Sequence, residues 1–311
     1  MARAASAAGQ PGYLRCAANP PPMLLDGKST SLAIQSELAE AVVQRVAEGK
    51  KRPHLAAILV GNHPASRAYV GHKVKACDRI GFESTLVELP ESATEAELLD
   101  SVRQLNENDS VDGFIVQLPL PDHIDEQRII EAIAPAKDVD GFHPVNVGRM
   151  TLGLPCFLPA TPAGILELLK RSGIETTGKH VVVVGRSAIV GTPISILLSR
   201  SGEPGNATVT LCHSRTVDLA SITRQADILI AAIGKAHFVG AEHVKEGAVV
   251  VDVGINHIPD ATKKSGRRMV GDVDFEAVAP KCSAITPVPG GVGPMTIAAL
   301  LQNTMRAAAR G

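Results

Sequence analysis

Aromatic residues are scarce in this chain, with no Trp, two Tyr and six Phe among 311 residues. A stacking platform for single-stranded nucleic acid needs more ring faces than that, so such a role is excluded. Charge of either sign is balanced too, 31 Lys plus Arg against 32 Asp plus Glu, which leaves no basic footprint for nucleic acid. The five cysteines (Cys16, Cys77, Cys156, Cys212, Cys282) contain no Cys-x-x-Cys pair. Neither a disulfide framework nor a metal site is therefore expected, and a reducing, cytoplasmic compartment fits best. No apolar run reaches the roughly 20 residues of a membrane span. Residues 1–22 lack the apolar centre of a secretory signal; they are Ala-rich, hold Arg3 and Arg15 and no acid, and read as a flexible extension, with a mitochondrial presequence as the alternative.

What is present is a globular composition, 45% hydrophobic and 20% charged, long enough for two domains. The chain is organised around Val181-Val182-Val183-Val184-Gly185-Arg186-Ser187-Ala188-Ile189-Val190-Gly191. Four β-branched residues predict a strand buried on both faces, and the turn after them predicts a helix opening at about Ile189. Such a helix start presents free N–H groups and a positive dipole end to a phosphate. The spacing departs from G-x-G-x-x-G, so a nucleotide site and an ordinary buried strand both remain readings of this stretch alone.

The rest of the chain alternates helix and strand signals, which predicts an α/β protein. Helices are expected over Ser29 to Gly49, with Ile34, Leu38, Val42 and Val46 as a stripe, over Pro64 to Ile80, after a Thr94–Glu97 capping box, and near Glu126 to Ile133. Strands are expected at His54 to Gly61, Phe82 to Leu89 and Val111 to Leu118, then at Val181 to Val184, Thr208 to Leu211, Ile228 to Ala231 and Val249 to Val253. The later four read as a Rossmann-type doubly wound parallel sheet. Thr161 reads as an N-cap with Pro162 at N1, Lys263 to Arg268 as a charged loop tip, and Thr286 to Thr296 as too rich in Pro and Gly for either regular element, with the last helix leaving it.

An NAD site wants an acid after its second strand, to accept from the ribose hydroxyl. Here Cys212-His213-Ser214-Arg215-Thr216 follows, with no acid before Asp218. A hydroxyl and cations, with Arg186 in the first turn, suit the 2′-phosphate of NADP; a plain polar loop is the other reading. Nothing resembles a Ser/His/Asp set. What remains is Tyr69 and Lys73 four apart on one helix face, Gln117 at a strand end, and Asp138 with Asp140 on a loop. A lysine among uncharged neighbours has a lowered pKa and serves as acid or base.

Six phrases in order, Tyr69-Val70-Gly71-His72-Lys73, Val116-Gln117-Leu118-Pro119-Leu120-Pro121, Lys137-Asp138-Val139-Asp140-Gly141, Gly185 to Gly191, Asp252-Val253-Gly254-Ile255-Asn256 and Pro287-Val288-Pro289-Gly290-Gly291-Val292-Gly293-Pro294-Met295-Thr296, resemble the bifunctional methylenetetrahydrofolate dehydrogenase/methenyltetrahydrofolate cyclohydrolase family from about Leu24 to the end. The resemblance implies NADP-dependent oxidation of 5,10-methylenetetrahydrofolate and hydrolysis of the methenyl product to 10-formyltetrahydrofolate in one cleft. It implies that Lys73 serves the hydrolysis, that Tyr69 packs along the folate, that Gln117 tunes Lys73 and that Asp140 holds the pterin. Leu118, Pro289, Gly290 and Gly291 would line the folate side. Thr161, Gly185, Arg186, Ser187, Ile189, Val190, His213, Ser214, Gly234 and Ile255 would contact NADP. The implied architecture is two-domain: an N-terminal α/β catalytic domain of residues 23–160 and 287–311, a Rossmann-type NADP domain of residues 161–286, and the active-site cleft between them. A homodimer through the Rossmann domain is implied as well. Many relatives carry Cys where this chain has Ala160, a change that leaves the implied chemistry intact. A dehydrogenase-only or NAD-using relative, and a nucleotide-binding regulator without turnover, are the alternatives.

Overall fold

The computed structural model describes residues 21–263 and 266–310, and the expectations for residues 1–20 lie outside it. Strand β1 (Met23–Leu24) leads into helix α1 (Gly27–Ala47), capped by the Asp26 carboxylate, which accepts from the Ser29 N–H at 3.0 Å. Ile34, Leu38 and Val42 are buried along α1 but Val46 is 41% exposed, so the expected stripe ends a turn early. Strand β2 (His54–Val60), helix α2 (Pro64–Ile80), strand β3 (Glu83–Leu89), helix α3 (Glu95–Glu107), strand β4 (Gly113–Val116) and helix α4 (Glu126–Ala132) follow. Pro64 opens α2, and Gly81, in left-handed backbone at φ 78°, closes it. Helix α3 starts at the expected capping box, the Thr94 N–H donating to the Glu97 carboxylate at 2.7 Å.

Helix α5 (Pro144–Thr151) was not evident in the sequence; His143 caps it through Nδ1, which accepts from the Val145 N–H at 3.0 Å. Helix α6 (Ala160–Arg171) corrects the role of Thr161. The Ala163 N–H donates to the Pro159 carbonyl at 2.9 Å, so Pro159 is the cap and Thr161 lies inside the first turn. Then come strand β5 (His180–Val184), helix α7 (Gly191–Ser199), strand β6 (Thr208–Cys212), helix α8 (Leu219–Thr223), strand β7 (Ile228–Ala231) and strand β8 (Ala248–Asp252). Helix α7 opens two residues after the expected Ile189, because Ser187 to Val190 form a separate turn. Strands β9 (Asn256–Pro259) and β10 (Arg267–Val270) pair antiparallel, so the stretch read as a loop tip is partly strand. Helix α9 (Phe275–Val278), strand β11 (Cys282–Ile285) and helix α10 (Val292–Ala308) complete the chain. Gly293 and Pro294, expected in an irregular loop, lie in the first turn of α10, where the missing proline N–H costs nothing.

Two parallel sheets result, one ordered β3-β2-β4 and one ordered β1-β11-β8-β7-β5-β6. Alternate residues of each central strand enter different cores. Val181, Val183, Ile228 and Ile230 join a cluster with Ile165, Leu197 and Leu301, whereas Val182, Val184, Leu229 and Ala231 join one with Val244 and Val278. Leu55, Ala57 and Leu59 of β2 enter that same first cluster, and Ala56, Ile58 and Val60 a third with Leu98 and Ile129. One continuous core therefore runs between the sheets, filled by α1, α2, α6, α7 and α10, with α10 packed most extensively on α6 and α1.

The amino ends of both sheets carry the same side-chain latch. The His54 N–H donates to Asp112 Oδ2 at 2.8 Å, and His180 does the same to Asp227 Oδ2 at 2.8 Å. Each ring spans to the neighbouring strand, Nε2 to the hydroxyl of Thr85 at 2.8 Å or Thr210 at 2.9 Å. Each Nδ1 faces a carbonyl, Ser110 at 3.2 Å or Gln225 at 3.3 Å, which requires the proton on Nδ1 and makes Nε2 the acceptor. Lys51 and Lys245 pair with Asp112 and Asp227 at 2.9 and 2.6 Å.

The tightest helix packing sets a testable limit. A Cβ on Gly164 would lie 2.7 Å from the Met295 carbonyl oxygen, whereas one on Gly148 would meet nothing within 4 Å. Gly164→Ala is expected to lower the free energy of unfolding by about 1–3 kcal/mol by forcing α6 from α10. Gly148→Ala should raise it by about 0.5 kcal/mol through helix propensity. Urea unfolding of both variants checks this, and an unaffected Gly164→Ala would contradict the packing.

Candidate active site

Helix α2 buries Ser66, Val70, Lys73, Ala76, Cys77 and Ile80, and the helical period thus puts an amine on an otherwise inward stripe. Lys73 is only 4% exposed. Its Nζ donates to Gln117 Oε1 at 3.2 Å and stands 4.9 Å from the centre of the Tyr69 ring, one turn away on the helix. Gln117 lies just past β4, its own N–H donating to the Ile58 carbonyl at 2.9 Å. Its Nε2 donates to the Leu118 carbonyl at 2.7 Å, which leaves the amide oxygen aimed at the amine. Burial holds the Lys73 pKa below the ordinary lysine range, and the charge of Asp140 opposes that shift. Burial also pushes the Tyr69 phenol up to about 12, against a hydrogen bond with Thr296 and with some help from Asp140, so the phenol stays protonated.

Asp140 is presented by a loop that its neighbour builds. The Asp138 carboxylate, buried, accepts from the N–H groups of Gly141 at 3.1 Å, Phe142 at 3.3 Å and His143 at 2.8 Å and from Asn146 Nδ2 at 2.8 Å. Gly141 has φ 75°, and a Cβ there would lie 2.5 Å from the Leu158 backbone. The Asp140 carboxyl is raised by burial, lowered by Lys73 and raised by Asp138. Lys73, Tyr69, Gln117 and Asp140 are thus one electrostatic group.

A cleft of about 1380 Å³ opens beside this group, with Tyr69, Gln117 and Leu118 on one wall and Ile255, Pro289, Gly290 and Gly291 on the other. Lys73 lies one layer back, against two of the lining side chains. The Leu118–Pro119 and Val288–Pro289 peptides are both cis. Gly290 has φ 112°, and its carbonyl accepts from the Lys28 N–H at 2.8 Å; a Cβ on Gly27 would lie 1.8 Å from the Gly291 oxygen. The glycine loop and the start of α1 are therefore in backbone contact. Thr161 sits beside Thr296, hydroxyl to hydroxyl at 3.0 Å, and through it reaches Tyr69.

The remaining expected residues gather at the carboxyl end of the six-stranded sheet. Strands β6 and β7 flank β5 on opposite sides, so the chain reverses direction there, the place where open parallel sheets bind ligands. Gly185, at φ 119°, passes so close to β7 that a Cβ would lie 2.0 Å from the Ala232 oxygen. Gly234, at φ 73°, faces open space. Arg186, Ser187, Ile189 and Ser214 are exposed there, with Val190 and His213 half-buried. His213 Nδ1 accepts from the Arg215 N–H at 3.1 Å, so a neutral ring carries its proton on Nε2 as a donor. The backbone clearance, the hydroxyl and the cation fit a phosphorylated dinucleotide. One expectation is corrected. The start of α7 does not present free N–H groups throughout, because Ser187 Oγ takes those of Val190 at 3.2 Å and Gly191 at 3.3 Å.

Sequence reasoning missed a carboxylate pair that builds these loops. Asp272, fully buried, accepts from the N–H groups of Ile233 at 2.6 Å, Gly234 at 2.9 Å and Lys235 at 2.9 Å and from Asn256 Nδ2 at 2.9 Å. Asp252 accepts from Gly254 at 2.9 Å, Asp272 at 2.9 Å and Val273 at 3.0 Å. Burial pushes Asp252 up to about 6 against these three bonds, with Asp272 adding to the rise. A Cβ on Gly271 would lie 1.7 Å from Asp252, and one on Gly254 would lie 2.3 Å from Asp272. The signal was an acid beside a glycine at each strand end, Asp252-Val253-Gly254 and Gly271-Asp272.

Two family models match the chain: the catalytic domain of tetrahydrofolate dehydrogenase/cyclohydrolase over residues 25–140 and its NAD(P)-binding domain over residues 159–311. The bifunctional protein FolD of Cytophaga hutchinsonii is 64% identical over 286 residues, covering 92% of this chain and 99% of that protein. The bifunctional enzyme FolD of Campylobacter jejuni has a solved structure that matches with a TM-score of 0.87 at 50% identity, over 93% of this chain and 99% of that one. The methylenetetrahydrofolate dehydrogenase-cyclohydrolase of Trypanosoma brucei, solved with NADP and an inhibitor, matches with a TM-score of 0.88 at 41% identity, over 94% of this chain and 98% of that one.

Two outcomes follow from the electrostatics. Because Asp140 raises the Lys73 pKa, Asp140→Asn should move the Lys73 titration to lower pH in a side-chain 13C NMR titration, and an unchanged titration would mean that its charge does not reach the amine. Asp272→Ala removes the acceptor of three loop amides, worth about 3 kcal/mol for a charged acceptor, so hydrogen exchange at residues 233–235 should speed up by roughly a hundredfold.

Proposed function

This chain belongs to the tetrahydrofolate dehydrogenase/cyclohydrolase family, and we infer that it oxidises 5,10-methylenetetrahydrofolate with NADP and hydrolyses the methenyl product to 10-formyltetrahydrofolate in one cleft. The observation that carries the hydrolytic half is the desolvated Lys73 amine held by an uncharged amide at the cleft wall.

NADP, when bound, would supply the hydride acceptor for the methylene carbon. Arg186, Ser214 and His213 would hold its 2′-phosphate side, and Gly185 and Gly234 would let the backbone approach it. The chain's own work is positioning and proton transfer. Tyr69 would pack along the flat substrate while its phenol, kept protonated, adds no charge. Asp140 would accept from the pterin amino and ring N–H groups. Leu118, Pro289, Gly290 and Gly291 would bound the slot. Water adds to the methenyl carbon and gives one proton to the Lys73 amine; as the carbon–N5 bond breaks that proton passes to N5, and the remaining hydroxyl proton leaves through the freed amine to solvent as the formyl C=O forms on N10, so that the cation and water yield a neutral product and one proton. A lysine with a lowered pKa does both transfers near neutral pH, where an ordinary lysine is locked as the ammonium. Gln117 keeps the amine aimed without pairing it to a carboxylate, a partner that would hold it charged.

The division into a folate-binding part (23–160 and 287–311) and an NADP-binding part (161–286) is supported by the cleft running between the two sheets. A cytoplasmic location is supported by the unpaired Cys77, Cys156, Cys212 and Cys282. A homodimer is supported by the unpaired edge of β6, where Leu211 is 37% exposed and Val217, just beyond, 86%. Sedimentation should give a dimer for the wild type and a monomer for Leu211→Lys combined with Val217→Glu.

Lys73→Ala is expected to slow hydrolysis of methenyltetrahydrofolate by at least a hundredfold, the usual worth of a general acid–base, while NADP reduction stays measurable. Hydrolysis at the wild-type rate would remove Lys73 from the mechanism. Arg186→Ala should raise KM for NADP about tenfold and leave the poorer KM for NAD unchanged, because the guanidinium serves the 2′-phosphate alone.

A further inference from the structure

Three helices end at one place behind the Asp140 loop: α5 at Thr151, α7 at Ser199 and α10 at Ala308. Four arginines converge there. Arg149 lies in the last turn of α5, Arg200 caps α7, and Arg306 and Arg310 are one turn apart at the end of α10. The loop between α5 and α6 ties them together. Arg149 Nε donates to the Pro155 carbonyl at 2.8 Å, Arg200 Nη1 donates to the Met150 carbonyl at 3.2 Å, and the Arg310 guanidinium stands 4.4 Å from the centre of the buried Phe157 ring. Cys156, between Pro155 and Phe157, is half-buried among them. Burial pushes its thiol up; all four arginine charges, Arg200 foremost, oppose that rise, and no carboxylate adds to it.

None of the four is neutralised by an acid. The arginine ion pairs among the described residues are made by Arg67, Arg103, Arg128, Arg171 and Arg268. Helix ends account for part of the clustering, because the last carbonyls of a helix carry a charge of about −0.5. Three such ends set about −1.5 against four full positive charges, which leaves a surplus of roughly two. Both terminal nitrogens of Arg149 and one of Arg200 also have no acceptor among the described residues. A guanidinium fork with free terminal nitrogens matches the oxygens of a phosphoryl group. The inner side of α5 is meanwhile tied to the folate wall. Asn146 Nδ2 donates to Asp138 Oδ2 at 2.8 Å, Asn146 Oδ1 accepts from the Phe157 N–H at 3.4 Å, and Asp138 holds the N–H groups of Gly141, Phe142 and His143.

We propose that this meeting of helix ends is an anion site for a ligand with two or more linked phosphoryl groups, bound through Arg149, Arg200, Arg306 and Arg310 and steadying the loop that presents Asp140. A diphosphate brings the charge that the surplus calls for and enough oxygens to occupy more than one fork. The site is separate from the cleft, since none of the four arginines lines it, and it does not depend on the folate reading.

The test is calorimetric titration with sodium pyrophosphate, and with sodium sulfate as the single-tetrahedron control, of the wild type, Arg149→Gln and Arg306→Gln, each saturated with NADP, at low and high salt. Both substituted arginines are exposed, so the fold should be kept, and an unchanged urea midpoint checks that. Pyrophosphate is expected to bind the wild type at least about tenfold tighter than sulfate at low salt and each variant about tenfold more weakly, with high salt weakening every case. Alkylation of Cys156 by neutral iodoacetamide, read from its peptide by mass spectrometry, should slow about fivefold when pyrophosphate is bound. Hydrogen exchange at residues 141–143 should slow with it. Binding that NADP abolishes gives the anion to the cofactor floor and overturns the proposal. Affinity untouched by either substitution, or Cys156 alkylated at the same rate with the anion present, overturns it too. Unchanged exchange at residues 141–143 overturns the link to Asp140.

Discussion

Keeping an amine out of water is unfavourable unless its donors are met, and the surroundings of Lys73 are organised by that requirement. The ring of Tyr69 covers one side of Nζ, the fixed oxygen of Gln117 accepts a hydrogen bond from it, and Asp140 acts on it through its charge alone. Each of these comes from a different piece of chain: the same helix, the end of a neighbouring strand, and a loop held by Asp138. A hydrogen-bonded carboxylate at Nζ would leave the amine permanently charged, and a solvent-filled pocket would do the same. The apolar packing of α2 against β2 and α10 is therefore a condition of the chemistry as much as of stability.

The two walls of the cleft are kept in register by α10. It packs between both sheets, and Asn303 Nδ2 donates to the Val139 carbonyl at 2.8 Å and the Leu158 carbonyl at 2.9 Å, tying the loop that carries Asp140 to the helix that leaves the glycine loop. On the opposite wall the buried pair Asp252 and Asp272 does a related job, gathering seven donors from three stretches of chain into one rigid floor. Buried carboxylates of this kind are stable only because every oxygen is occupied.

Much of this was legible in the sequence where the cause is local. The limits of α2 follow from Pro64 and Gly81, the start of α3 from the Thr94–Glu97 pair, and β5 from four consecutive valines. What was not legible depends on distant partners. Thr161 looks like a cap until Thr296 claims its hydroxyl, and Ser187 looks free until the two N–H groups following it are counted. β11 has only four residues after a 3-10 turn through Pro280, and it is a strand because β1 and β8 flank it. Asp272 reads as an ordinary loop acid until three amides from a segment some forty residues earlier converge on it. That Lys73 and Gln117 would meet was expected only from the family likeness, since 44 residues separate them.

The matching histidine latches of the two sheets show one βαβαβ unit used twice in this chain, β2-β3-β4 and β5-β6-β7, with the same acid, ring and hydroxyl at the same register. In both copies the latch sits at the amino ends of the strands, while Gln117, Gly185 and Gly234 lie past the carboxyl ends. The side chains that latch the strands together are thus a strand's length away from the loops at their carboxyl ends. Loops at the carboxyl ends are free to diverge without disturbing the shared framework. Such a division lets two copies of one framework carry unlike loops at one end, so that the same arrangement of strands can present a cleft with two unlike walls.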